Sequence, residues 1–558
     1  MLPGSLRLLA IRLLRSVQHG DERTLFWLAY ATLLPLYLLP LFVTRFLPGL
    51  DLPLHLSLID AVAKSDLPGT PQHALYEAHV APSGYFAYYA LLYLLGKVCS
   101  LQLAHRLIIC VMIAALPLFC ARLLRVLGSA SFPSLLAFPL AYNMPLHYGF
   151  VSFACSIPIL VGFVAQVILV LRSDRPIPTN IALLTVLGIC LYLSHVQTYG
   201  LALLIALMLI CVPGQRWTAR LASLLAILPS LIALYIWQSK GIFSADAVHA
   251  TSPGHSKGIW YTVQAFWHAR SAELGSPWQL LFDPAKRLFL FQVHLLRGFM
   301  DVSDQVMSNV FLIVMTVLFF VGKTIGSKHH SDSFGTASSW LLRAIPPLLG
   351  LLAYLGLPHH IAEFQTIYPR FAILSAVLSF SLIPSSLRLV PRVWLYRLFV
   401  LSVIPSLLYA LLLTLQFHRY GRELTDFATV LDATPPGGKS VGLVFGGGSS
   451  RVLSSGAQLV NLPAYYPIER RSPHSMVAIT FCGAPGSLCR KKSDAVRIPS
   501  LNPFHPEQAQ IAEVVAYFDY FITYAAPPAE RLFATHASAL TPLARAGLWT
   551  VYRKKSPR

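Results

Sequence analysis

The residues best suited to chemistry stand in one short run, Pro48-Gly49-Leu50-Asp51-Leu52-Pro53-Leu54-His55, where a turn leads into the periodic apolar residues Leu54, Leu58, Ile59 and Val62. That period predicts a helix, and a helix puts Asp51 and His55 one turn apart on one face. A carboxylate so placed can take a proton from an acceptor hydroxyl, with His55 orienting it or contacting a phosphate. The pair also suits a contribution to a divalent-cation site, magnesium or manganese, and no other cofactor is implied. A competing reading makes Asp51 the N-cap of a helix with Pro53 in its first turn, worth about 1 kcal/mol without any catalysis. Position favours chemistry, because the acid follows directly on the first long apolar segment.

A second stretch reads Gly356-Leu357-Pro358-His359-His360-Ile361-Ala362-Glu363, followed by Tyr368-Pro369-Arg370-Phe371. An arginine at the mouth of an apolar span, beside His359, His360 and Glu363, suits a phosphate whose tail stays in lipid, since guanidinium meets phosphate oxygens two at a time. The alternative is an interfacial arginine paired with Glu363. A third stretch, Tyr142-Asn143-Met144-Pro145-Leu146-His147-Tyr148-Gly149, offers Asn143 and His147 as polar contacts but no carboxylate. His195 joins two apolar runs, and reads either as a satisfied interfacial histidine or as a further group at the site.

The elements that must carry these residues are membrane spans. Of 558 residues, 55% are hydrophobic and only 12% charged, with a mean hydropathy of +0.61. Segments near 20 residues long without charge are bilayer spans, which excludes an ordinary cytosolic enzyme, a disordered chain and a disulfide scaffold. The net charge of +20 comes from basic residues in twos and threes between apolar runs. That is the pattern that holds loops on the cytoplasmic side, not a nucleic-acid surface.

The charge pattern gives a topology. Residues 1–24 form a basic cytoplasmic N-terminus that reads as a signal anchor, followed by a membrane domain over 25–416 with outer loops 48–103 and 238–305. Eleven crossings are expected, near 25–47, 104–124, 130–146, 149–171, 180–195, 198–213, 219–237, 306–322, 340–357, 368–387 and 395–416. The tyrosine-rich run 84–100 is expected to lie at the interface, because a crossing there would invert every later basic loop. Residues 417–558 form a small polar α/β domain on the outer side, with strands at Lys439–Phe445, Met476–Phe481, Phe518–Thr523 and Leu548–Arg553. Cys482 and Cys489 flank a Gly/Pro-rich loop there, and a disulfide between them and two free thiols are equally compatible with the spacing. No acid falls in mid-bilayer, which argues against an ion-coupled transporter.

An N-terminal span, an outer loop opening on Asp51, the run Pro82-Ser83-Gly84-Tyr85 leading into the interfacial segment, and a span opened by His105-Arg106 together resemble the GT-C superfamily. Its members are integral-membrane glycosyltransferases using polyprenyl-phosphate sugars, among them protein mannosyltransferases and aminoarabinose transferases. The resemblance implies that Asp51 is the catalytic base, that Arg370 meets the donor phosphate, and that the acceptor is a glycan, lipid or protein at the outer face. Compact loops and the lack of a retention signal point to a bacterial inner membrane. The turn at Tyr142–Gly149 departs from the family pattern, in which many members carry a second acid. That departure favours the alternative of a non-catalytic protein that binds or flips lipid-linked glycans. An O-antigen-polymerase-like enzyme would also use basic residues in outer loops.

Overall fold

The computed structural model describes residues 22–78, 83–239, 277–326, 337–360, 366–477, 489–491, 499 and 501–555. Glu363, Pro82, Cys482, the Cys489 side chain and most of the outer segment 238–305 lie outside them. Among the described residues seven helices are long and apolar enough to cross a bilayer: Glu22–Phe42, Leu101–Val126, Val151–Arg172, Trp217–Trp237, Ser303–Ile325, Ser338–Gly356 and Arg392–Glu423. Shorter apolar helices occupy Pro178–Ser194, Val196–Ile210 and Arg370–Leu382. The protein is a polytopic α-helical membrane protein with a small C-terminal α/β region.

The segment expected to cross as one helix at 130–146 does not form one. It is a chain of short pieces, Phe132–Leu136, Ala137–Ala141 and Met144–Tyr148. Pro133, Pro139 and Pro145 recur every six residues, and each removes a backbone donor and crowds the preceding turn. Irregular backbone survives at membrane depth only when protein covers it. Here residues 129–147 are all buried. The tyrosine-rich helix Phe86–Gly96 has 11 residues, about 16 Å of rise against a hydrocarbon core of about 30 Å, so it cannot span upright.

Two sides of the bundle are distinguishable. On one, the buried Arg343 guanidinium donates to the carbonyls of Leu127, Ser381 and Ile383 (2.6 Å), while Arg388 reaches Ser129 O at 3.0 Å and Arg172 reaches Val126 O at 2.8 Å. The basic loops grouped by the charge pattern therefore converge in space. The Asp51 loop, the Gly149 turn, the His195 joint and the start of the Arg370 helix gather on the other side, together with the C-terminal region.

That region holds a five-stranded sheet in the order β3-β2-β5-β7-β6, made of β2 (Lys439–Val444), β3 (Met476–Val477), β5 (Tyr520–Tyr524), β6 (Leu540–Ala546) and β7 (Trp549–Lys554). The β3-β2 and β2-β5 pairs are parallel and the β5-β7 and β7-β6 pairs antiparallel. A separate ladder pairs β1 (Tyr76–Ala78) of the first outer loop with β4 (Cys489–Lys491). The helix Arg392–Glu423 runs seven residues past the expected end of the membrane domain and carries the chain into this region.

Arg45 fastens the same two parts. Its guanidinium binds both oxygens of Asp432 at 2.8 and 2.9 Å and Glu469 at 2.8 Å, and Glu469 also accepts from Gln102 at 2.6 Å. Arg45 holds the Asp432 carboxyl below its ordinary range. Protonating that carboxylate at low pH weakens the clamp. Arg45→Gln is therefore expected to speed proteolytic release of the C-terminal region at pH 7, with the difference shrinking as pH falls through the depressed Asp432 value, as read by limited proteolysis.

Candidate active site at the Asp51 loop

The helix Leu52–Ser65 forms as its period predicts, with Pro53 in the first turn and Leu54, Leu58, Ile59 and Val62 buried. Asp51 sits at the N-cap position, but with helix-like angles (φ −92°, ψ −5°) and no side-chain cap hydrogen bond. A capping aspartate is extended and accepts from the second or third helical N–H. Asp51 therefore does not act as the cap. Its carboxylate is half-buried, and it has no hydrogen-bond or ion-pair partner among the described residues. Burial pushes its pKa up to about 7, against an opposing pull from Arg370. A carboxylate that titrates near neutrality is matched to general-base work.

Backbone contacts to the broken segment hold the acid in place. The Asp51 N–H donates to Tyr148 O at 3.2 Å, and Gly149, at φ +90°, packs so closely that a Cβ would lie 2.7 Å from Asp51 N. No side chain fits there, and the left-handed φ adds strain for any other residue. Gly149→Ala is expected to displace Asp51 and to lower turnover by about 100-fold. A turnover assay alongside a melting curve would separate misplacement from global unfolding.

His55, expected to orient the reacting groups or contact a phosphate, has both ring nitrogens within hydrogen-bond distance of other groups. Its Nε2 lies 3.1 Å from Gly149 O and its Nδ1 2.6 Å from the Tyr89 hydroxyl. The tautomer consistent with both has Nε2–H donating to the carbonyl and Nδ1 accepting from tyrosine. Burial lowers its pKa to about 4, leaving the ring neutral. His55 is a positioning residue that ties the Asp51 helix to the Gly149 turn and to the tyrosine-rich helix.

Arg370 opens its helix at only 8% exposure, with its guanidinium 3.7 Å from the Phe150 ring centre and 6.0 Å from that of Phe153. Arginine over an aromatic face keeps its charge while losing water, which sharpens its attraction for an anion. The His195 ring stands edge-on between Tyr85 (4.9 Å) and Phe153 (5.0 Å) at the joint of two helices. Asp51, Tyr85, Phe150, Phe153, His195 and Arg370 thus form one cluster drawn from five segments of the chain.

Two other expected contacts are consumed elsewhere. Asn143 caps the helix Met144–Tyr148: its Oδ1 accepts from Leu146 N at 3.1 Å and its Nδ2 donates to Leu140 O at 3.0 Å. Both ends of the amide are engaged within the protein. Asn143→Ala is expected to cost about 1 kcal/mol of stability while leaving the KM for donor unchanged, a split that calorimetry and initial rates can read. His147 is buried against Tyr142, Phe299 and Phe417.

His359 and His360 face each other, with Nδ1 atoms 2.8 Å apart, in a neighbouring cluster. There the Arg287 guanidinium lies 3.8 Å from the Tyr368 ring centre and pairs with Asp283 at 2.8 Å. Arg287, Tyr89, Phe150 and Gly149 carry parts of this geometry that sequence reading missed. The first had a signal in its i, i+4 spacing from Asp283, whereas the others depend on contacts between distant segments. Below the Arg370 turn, an apolar groove of about 450 Å³ runs past Ser375, Ala376 and Ser379 between Leu288, Phe291 and Trp340.

Among the described residues no three His, Cys, Asp or Glu side chains come together to hold a metal ion. Asp51 is the one carboxylate in the cluster, which falls short of a protein-built cation site.

Comparison with known proteins finds no matching family model and no matching curated protein. Among solved structures the chain is similar to the mycobacterial arabinofuranosyltransferase AftD, at 13% identity and a TM-score of 0.46, covering 95% of this chain and 41% of that one. It is also similar to ArnT from Cupriavidus metallidurans in the apo state, at 10% identity and a TM-score of 0.42, covering 95% and 98% of the two chains. This chain thus spans less than half the length of the mycobacterial enzyme.

Proposed function

We propose that the protein transfers a sugar from a polyprenyl-phosphate donor to a hydroxyl acceptor, on the membrane face that carries the C-terminal region. The observation that carries this reading is the half-buried, unpartnered Asp51 carboxylate with its pKa near 7 and Arg370 close by. In the proposed reaction the acceptor hydroxyl gives its proton to Asp51 and its oxygen attacks the anomeric carbon. The bond from that carbon to the phosphate oxygen breaks, and its electron pair leaves with polyprenyl phosphate. Arg370 neutralises the charge that grows on the leaving phosphate. The apolar groove beside the Arg370 helix takes the start of the prenyl tail, and Tyr85, Phe150 and Phe153 exclude water from the sugar.

The setting we infer is the inner membrane of a bacterium, in assembly of a cell-envelope polysaccharide, with a glycan, lipid or protein as acceptor. A second reading, binding or flipping of lipid-linked glycans without chemistry, draws on the missing carboxylate in the Tyr142–Gly149 turn. Purified protein incubated with a panel of radiolabelled polyprenyl-phosphate sugars separates the two. Transfer or donor hydrolysis supports the enzyme. Saturable donor binding without turnover supports the second reading and overturns the first.

A further inference from the structure

A cavity of about 560 Å³ opens where the helix Arg392–Glu423 meets the C-terminal sheet, and it shares no lining residue with the Asp51 cluster. Arg419, Arg422 and Arg451 line it, with Asp426 and Tyr524. All three arginines are exposed, and their guanidiniums make no ion pair or hydrogen bond among the described residues. Glu423 lies between them but is already engaged, accepting from Ser450 Oγ at 2.6 Å and from Arg451 N at 2.7 Å. Ser450 Oγ in turn accepts from Val452 N and Leu453 N, both at 3.0 Å. These bonds fix the turn that presents Arg451, and the three arginines outnumber the two carboxylates of the lining, Glu423 and Asp426, which leaves the cavity a formal charge of +1.

Two ordinary explanations for basic residues leave this group unexplained. Arg392 and Arg397 stand at the other end of the same helix, and only one end of a single crossing can face the cytoplasm, so loop retention accounts for one cluster at most. Complementing the helix dipole suits Arg422 in the last turn, but Arg451 comes from a different element. From Arg392 to Arg419 the helix rises about 40 Å, roughly the bilayer thickness including headgroups, which sets the cavity at headgroup level.

We propose that this cavity binds a phosphate group, carried by a lipid headgroup or by a soluble phosphate ester. Three guanidiniums from two elements match phosphate oxygens, which accept paired donors. The proposal is independent of sugar transfer at Asp51.

The test uses the full-length protein in neutral detergent, titrated calorimetrically with short-chain phosphatidylglycerol and, separately, with glycerol phosphate. Binding of the lipid alone identifies a headgroup site, and equal binding of both identifies a site for the phosphate ester. In either case the combined Arg419→Gln, Arg422→Gln and Arg451→Gln variant is expected to bind at least about tenfold more weakly. Each single substitution, which keeps the test open if the triple variant misfolds, is expected to weaken binding about threefold or more. Asp51→Asn and Arg370→Gln are expected to bind as the wild type does. The proposal is overturned if neither ligand binds, if the arginine variants bind unchanged, or if Arg370→Gln abolishes binding.

Discussion

Asp51→Asn is expected to lower sugar transfer by about 10²–10⁴-fold, the usual worth of a positioned general base, while making the protein more resistant to unfolding at pH 8. The two effects share one cause. Burial raises the Asp51 pKa in the folded protein to about 7, whereas in the unfolded chain it titrates near 4. A group raised on folding adds stability below its unfolded pKa, and that stability is lost as pH rises through the folded value. The amide carries no charge to desolvate. Its stability advantage over the carboxylate should therefore grow between pH 4 and pH 7 and then level off. Chemical unfolding at pH 4.5 and pH 8 reads the stability, and the labelled-donor assay reads the rate. A buried aspartate without a catalytic role would give the same pH-dependent gain, which follows from burial alone, but not the rate loss.

Arg370→Gln is expected to cost about 100-fold in kcat/KM, in line with losing a charge-assisted, two-point contact to phosphate. Arg370→Lys keeps the charge but not the fork and should recover only part of it. The pH dependence gives a more specific sign. Arg370 pulls the Asp51 pKa down, so its removal lets that pKa rise further. The rising limb of the pH–rate curve should then move to higher pH in Arg370→Gln and stay near its original place in Arg370→Lys. A purely structural arginine would lower the amount of folded protein without moving the limb.

The helical membrane architecture was readable because apolar length reports directly on spans. The basic ends at Arg172, Arg343 and Arg388 do converge on one side of the bundle. Asp51 and Arg370 stood out as charged groups at span mouths, where a charge needs a reason. The interrupted segment at 130–146 was misread as a helix because hydropathy counts apolar residues and ignores three evenly spaced prolines. Asparagine two residues before Pro145 is a helix-cap signature, and Asn143 does cap the helix Met144–Tyr148. The edge strand β6 went unseen since it is mostly exposed and interrupted by Pro542, which only an edge position tolerates. The seat of Gly149 against Asp51, and the partnership of His55 with Tyr89, arise between segments about 100 and 34 residues apart. Local pattern cannot encode such contacts.

The central claim is that Asp51 is the base for transfer from a polyprenyl-phosphate sugar. The most direct measurement is the single-turnover transfer rate of the wild type from pH 5 to pH 9, with Asp51→Asn run in parallel. The account predicts a wild-type rate that rises about tenfold per unit of pH and bends to a plateau near pH 7, with a low, flat profile for the variant. A wild-type rate independent of pH, or a variant that keeps the wild-type rate and limb, would contradict it.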